Sequence, residues 1–407
     1  MSFQQGLSGL NAAAKNLDVI GNNVSNANTV GFKGSQARFS DVFASSLGGG
    51  GGTQVGIGTS LSSILPLFGQ GNINVSANPL DMASNGQGFF RMSNAGTVTH
   101  TRNGQFSLDK NGYIVSAGGA RLTGYAANSA GAIVASSPVD LQVSNADIAP
   151  GATSKATILT NLDSRNGTLA AASFNLSDTT TFHSATSLST YDSLGNPHTL
   201  TTYFVKTAAN TWSVFAANDG VQIGAGAVGV LNFKTDGTIN TATTTLPFNI
   251  SAPVTTGAVT PQAFTLDFTG SSQFGSTFGV NQLTQNGYAA GKLTGYGISG
   301  DGTILGRYSN GQSRAQGRIV LSTFTNVQGL APLGDNAWGE TAASGQALVG
   351  SPGSGSLGVI QSGALEDSNV DLTGELVQMI TAQRVYQANA QTIKTQDQVL
   401  QTLVNLR

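Results

Sequence analysis

Three histidines, three glutamates and one glycine pattern are the places where this sequence could hold chemistry. His100, His183 and His198 show neither H-x-x-x-H nor H-E-x-x-H spacing, so no helix face offers two imidazoles to a zinc ion. Each lies among Ser or Thr in predicted strands or turns, and exposed strand histidines are the expectation. Glu340, Glu366 and Glu375 are too scattered for any local pair of carboxylates to suggest acid and base roles. Asp192-Ser-Leu-Gly-Asn196 hints at an oxygen-ligand loop but lacks the twelve-residue frame with its closing glutamate, which favours a simple turn. Gly295-Tyr-Gly297-Ile-Ser-Gly300 matches G-x-G-x-x-G, yet a strand-like run, Thr303 to Tyr308, follows where a phosphate-capping helix is required. The Walker A pattern and the G-x-S-x-G elbow are absent. With no cysteine in the chain, thiolate catalysis, disulfides and sulfur-ligated zinc are excluded. No catalytic residue, cofactor or metal is expected, so the chain reads as a non-enzyme.

Composition points the same way. Only 9% of the 407 residues are charged and 54 are glycine, so the surface is neutral, polar and built of small side chains. Eighteen basic against twenty acidic residues, a net charge of -2, provide no electrostatic footprint for nucleic acid or anionic lipid. No run of 18 apolar residues exists, and Met1 to Leu10 lacks the basic head and apolar stretch of a cleaved secretory signal. Neither membrane insertion nor conventional secretion is expected.

The elements that would position any function are helical at the ends and extended in the middle. Phe3, Leu7, Leu10, Ala14, Leu17, Gly21 and Val24 repeat at alternating spacings of four and three, the narrow seam of a coiled coil. Leu372, Leu376, Met379, Gln383, Tyr386, Ala390 and Ile393 keep the same rhythm, which shifts to Leu400 and Leu403 as a four-residue stutter requires. Gly6, Gly9 and Gly21 each cost the first helix about 1 kcal/mol relative to alanine. Such a helix is marginal alone in water, so it needs a partner, either the C-terminal helix or another copy of the chain.

Between the helices, five consecutive glycines at 48–52 read as a flexible joint. Thereafter Asn-Gly at Asn85, Asn103, Asn111, Asn166, Asn286 and Asn310, with Asp-Gly at Asp219, Asp236 and Asp301, mark strand reversals by accepting positive φ in tight turns. Phe264, Leu266 and Phe268 alternate with polar residues, and Trp212, Val214 and Ala216 with Ser213 and Phe215, as half-buried strands do.

Five stretches carry a family resemblance. Asn22-Asn23-Val-Ser-Asn26-Ala-Asn-Thr-Val-Gly31-Phe32-Lys33 resembles the N-terminal signature of the bacterial flagellar rod and hook axial proteins. Leu376 to Ala390 resembles their C-terminal helix. Asn85-Gly-Gln-Gly-Phe-Phe90, Thr101 to Asp109 and Tyr191-Asp-Ser-Leu-Gly-Asn-Pro-His198 are similar to β motifs of the same family, whose members often carry an apolar residue where this chain has Ser84. The resemblance implies a structural subunit of the flagellar hook: a self-assembling, flexible, hollow tube that passes torque from rod to filament. It also implies export from the cytoplasm through the flagellar type III apparatus without a cleaved signal, an extracellular position, and contacts with rod, hook-cap and hook-filament junction proteins.

The expected fold is mainly β with α-helical termini: two coiled-coil-like helices and two β-rich domains, the outer inserted in the inner. The segments are an N-terminal helix at 1–30, a Gly-rich joint at 31–70, inner β domain at 71–145, outer β domain at 146–285, inner β domain again at 286–360, and a C-terminal helix at 361–407. Phe3, Leu7, Leu10, Leu17 and Val24, with Leu372, Leu376, Met379, Tyr386, Ile393, Leu400 and Leu403, are the expected assembly interface. The rival readings are a distal rod subunit and, more remotely, a secreted β-rich adhesin or hydrolase, which leaves the terminal heptads unexplained.

Overall fold

The computed structural model describes residues 2–42 and 56–405. Two helices bracket a β-rich chain: α1 (Ser2–Ser25) and α2 (Leu372–Asn405). No helix among the described residues is long and apolar enough to cross a membrane. The chain forms two compact units, one of Met1–Asn145, Gly295–Arg307 and Ser313–Arg407, the other of Ala146–Thr294 and Tyr308–Gln312. Part of the first unit's chain is therefore made before the second and part after it.

In the first unit the two parts interleave within one antiparallel sheet. Phe89–Asn94 lies between Thr97–Thr101 and Arg121–Ala126, while the later strands Ser313–Ile319 and Ala337–Gly339 pair on Arg121–Ala126 and Thr97–Thr101 respectively. Phe89, Phe324, Leu330 and Trp338 form a buried cluster, with Phe68 edge-on to Trp338 at 4.9 Å. Met82–Asn85 pairs with Val359–Ser362, which places Ser84 opposite Ile360 and fully buried, its hydroxyl without a partner. An apolar side chain there would avoid that desolvation cost.

The glycine run at 48–52 lies outside the described residues. The rest of the segment read as a joint contains a two-stranded antiparallel sheet, Ser35–Val42 against Gly58–Pro66. Strand-favouring Phe39, Val42, Leu61 and Ile64, scattered among serines, account for it.

The second unit has two five-stranded sheets. In one, Lys155–Asp163 runs parallel to Gln262–Asp267 and Ser272–Phe274 and antiparallel to Gly279–Gln285. The other is an antiparallel meander through Ser184–Tyr191, Pro197–Ala208 and Thr211–Asn218. Inner faces of both meet in one core that includes Phe204, Trp212, Leu266 and Phe268. The alternation at 264–268 buries its apolar side as expected, but Thr211–Asn218 is buried on both faces. Phe174, from an irregular segment, stacks on Phe215 at 4.0 Å and covers the side expected to face water.

The histidine expectation also fails. His100 is fully buried with Nε2 3.0 Å from Glu340, and His198 is buried between two aspartates. Asp192 closes the expected turn by accepting from the backbone N–H groups of Leu194 and Asn196, and its second oxygen accepts from Asn196, Thr256 and His198. His198 Nδ1 lies 2.6 Å from Asp219. Burial acts to lower the His198 pKa, but the hydrogen bonds to Asp219 and Asp192 outweigh it and the net shift is upward. A raised histidine contributes stability that is complete below its unfolded pKa of about 6.5 and is lost as pH rises through the folded value. The stability difference between the parent and His198→Asn, read by urea unfolding at Trp212, is thus expected to be largest near about pH 6 and to shrink as pH rises above the unfolded value of about 6.5 and through the raised folded one. A difference independent of pH would show that His198 acts only through packing.

Candidate assembly surfaces

Helix α1 holds no proline, and α2 is preceded by Asp371, whose carboxylate accepts the N–H of Thr373 as an N-cap, with Glu375 favourably placed in the first turn. At about 1.5 Å per residue the helices span about 36 and 51 Å.

On α1 the helices pack through a face beside the heptad seam, while on α2 the contact includes Ile393, one of the heptad residues. Along α1 the buried residues are Gly6, Ala13, Val19, Ile20 and Asn23. A methyl group at Gly6 would lie 3.1 Å from Ile393 and one at Gly9 2.8 Å from Asn389. These glycines, costly to an isolated helix, let α2 approach closely.

The expected seam is left largely uncovered. Phe3 and Leu7 are 46% and 43% exposed, while Leu10, Leu17 and Val24 are half-buried. On α2, Ala382 alone is buried among the residues whose side chains are described. Met379 and Ile393 are half-buried, Leu372, Leu376 and Tyr386 are exposed, and Leu400 is 49% exposed. The side chain of Leu403 lies outside the described set. Five further apolar residues that the sequence reading missed, Val377, Ile380, Val385, Val399 and Val404, are spread around the helix and exposed as well. Val377 and Ile380 follow Leu376 and Met379 by one position, so the same spacing displaced by one residue would have found them. A helix with apolar side chains in water on more than one side has more to bury than one neighbour can cover.

The signature residues have a different task. Asn23 is buried: its Nδ2 donates to the Ser35 carbonyl at 2.8 Å and to Glu375 at 3.1 Å, and its Oδ1 accepts the Ser35 N–H. Asn26 donates to the carbonyl and side chain of Asn22, closing the end of α1, and Phe32 donates its N–H to Thr29. Gly31 has φ +70, and a Cβ there would sit 2.5 Å from the Asn103 nitrogen. Its N–H reaches the Glu366 carbonyl at 2.7 Å.

Lys33 Nζ donates to Glu366 Oε1 at 2.6 Å and to the Gly69 carbonyl. Arg102 Nη1 donates to Glu366 Oε2 at 3.2 Å, and Gly71 N–H also donates to Glu366. The side chains of Lys33 and Glu366 are wholly buried. Burial lowers the Lys33 and Arg102 pKa values, and Glu366 opposes that in both. Arg102, Glu366, Glu375 and Asn369, none singled out from sequence for this role, therefore bind the root of α1 to the first turn of α2 and the segment before it. Asn369 completes the set by accepting Gly34 N–H and donating to the Leu67 and Gly69 carbonyls. Only the tertiary fold brings residues some 300 positions apart to one carboxylate.

Four family models match the chain: Flagella basal body rod protein at residues 3–33, Flagellar hook protein FlgE/F/G D1 domain at 83–160, Flagellar basal body protein FlaE D2 domain at 161–288, and Flagellar basal body rod FlgEFG protein C-terminal at 361–406. The chain is 43% identical to the flagellar hook proteins FlgE of Salmonella typhimurium and of Escherichia coli K12, covering all of each, and 33% identical to that of Brucella suis, covering all of this chain and 98% of that one. The crystal structure of Helicobacter pylori flagellar hook protein FlgE2 shares the fold over 72% of this chain and all of that one, with a TM-score of 0.54 at 15% identity.

Proposed function

The chain belongs to the flagellar hook protein family and is a structural subunit of the bacterial flagellar hook, and from that premise we propose that its two terminal helices are the elements that hold copies together. The observation that carries this reading is the uncovered apolar surface of α2, from Leu372 to Val404. About 25 cal/mol is returned for each Å² of such surface removed from water, so neighbouring copies that cover it drive assembly. Contacts of this kind must be heterologous and repeat by a screw operation, because a closed ring would not extend. The product is a hollow tube with the helices innermost, able to bend while it passes torque from rod to filament. Full-length similarity to hook proteins favours this over a distal rod subunit or a secreted adhesin or hydrolase.

Export through the type III apparatus without cleavage, and end contacts with rod, hook-cap and junction proteins, follow as further parts of the proposal. The neutral surface suits a bending polymer. Ser, Thr, Asn and Gln can exchange one hydrogen-bond partner or water for another as neighbours slide, whereas buried charges would have to stay paired. Bending stiffness of assembled tubes is therefore expected to change little as salt is withdrawn. A steep rise would show that ion pairs govern the contacts. Electron microscopy of the purified protein under polymerising conditions tests the proposal as a whole: hollow tubes support it, and a persistent monomer opposes it.

A further inference from the structure

Six Asn-Gly pairs occur in the chain, and one of them is unlike the rest. In five, an intrachain hydrogen bond holds the glycine N–H, the asparagine side chain or both. Gly86 N–H donates to Gln70, Asn103 Oδ1 accepts Gln105 N–H, and Gly112 N–H donates to the Asp109 carbonyl. At Asn286 and Asn310 both members of the pair are held.

Asn166-Gly167 follows the strand Lys155–Asp163 and enters an irregular stretch rather than the expected hairpin turn. Neither the Asn166 side-chain amide nor the Gly167 N–H has a hydrogen bond among the described residues. A Cβ placed on Gly167 would meet nothing within 4 Å. The backbone is nevertheless anchored. Lys206, itself buried, donates from Nζ to the Ser164 carbonyl at 2.6 Å and to the Asn166 carbonyl at 2.9 Å. His183 accepts the Lys206 backbone N–H on Nδ1 at 3.2 Å.

The Lys206 contact falls on the carbonyl of the peptide whose nitrogen belongs to Gly167. When that nitrogen loses its proton, negative charge spreads onto this oxygen, where an ammonium group is already in place. The same preorganised charge stabilises developing anions in enzyme sites. We propose that Asn166 is a self-modifying site at which Lys206 promotes deamidation of the folded protein. The Gly167 nitrogen gives its proton to solvent hydroxide and attacks Asn166 Cγ. The bond from Cγ to Nδ2 breaks, and ammonia leaves with a proton from water. One further water opens the resulting succinimide to aspartate or isoaspartate, so the sum is one amide and one water to one acid and one ammonia. The new carboxylate arises on the residue whose main-chain carbonyl Lys206 contacts, and next in sequence to Arg165, whose guanidinium is engaged by Asp163. The patch around Lys206, Arg165 and Asp163 thus gains one negative charge as the protein ages.

The test is incubation of the full chain in mildly alkaline buffer, with peptide mass spectrometry of all six sites over time. Asn166 is expected to convert severalfold ahead of the other five while the chain is folded, and to lose that lead in urea. Lys206→Met should slow conversion about tenfold, the factor supplied by about 1.4 kcal/mol of a charge-assisted contact. Lys206→Arg should retain most of the rate. Should Lys206→Met unfold, the folded-against-urea comparison of the parent decides alone. An unconverted Asn166 beside a converting site elsewhere, a lead that survives in urea, or a folded Lys206→Met with the parental rate would each overturn the proposal.

Discussion

Glu366→Ala is expected to destabilise the first unit by about 3–5 kcal/mol, the usual consequence of removing one member of a buried ionic group. The carboxylate is wholly buried and answers to Lys33, Arg102 and the Gly71 N–H. Its loss leaves two cations out of water with no anion for company: the Gly69 carbonyl for Lys33, and the Ser84 and Gly86 carbonyls and the Phe89 ring for Arg102. Burial already lowers the Lys33 pKa while Glu366 opposes it, so the variant should lower it further. For a base depressed in the folded state, the unfolded chain binds more protons below its own pKa, and stability rises with pH across that window. Part of the deficit should therefore be recovered as pH approaches about 10. Urea unfolding followed at Trp338 in a Trp212→Phe background reads this. A midpoint equal to the parent's would mean that the cluster is dispensable and that the termini are rooted by other contacts.

The second large effect concerns assembly rather than folding. Leu400→Asp, and equally Leu10→Asp, should abolish tube formation while leaving the melting of the unassembled chain nearly unchanged. Leu400 is 49% exposed, so a carboxylate there stays solvated in the free molecule. It becomes an unpaired buried charge only when another copy covers it, at a cost of several kcal/mol repeated at every subunit. Leu10 is half-buried and should show a somewhat larger loss of monomer stability. Light scattering and thermal melting of the same samples separate the two effects. Normal assembly by either variant would remove that residue from the interface.

Periodicity carried the terminal helices and alternation carried many strands because both are local properties. The strands around Phe264 and Leu266 were legible for that reason, whereas Thr211–Asn218 was not: the ring covering Phe215 arrives from Phe174, remote in sequence. The same limit hid the buried histidines. Nothing near His198 predicts Asp219 as its partner, since a hairpin must fold first to bring them together. On the candidate surfaces the heptad identified exposed and half-buried apolar side chains, but not the glycine face of α1 along which it meets α2. A 3.5-residue pattern scores large apolar residues, and close helix contact at Gly6 and Gly9 depends on small ones. The signature from Asn22 to Lys33 was recognisable as a string, while its work of joining α1 to Glu366 and Glu375 emerges only from the fold.

Because the natural chain has no cysteine, a single Leu400→Cys substitution supplies a clean reporter of whether α2 is covered by other copies. The measurement is the rate of maleimide labelling in the free protein and in assembled tubes. Rapid labelling in solution and strong protection in the tube are the predicted results. Equal rates in both, with tubes intact, would contradict the account, because the polymer would then be held by surfaces other than the exposed face of α2.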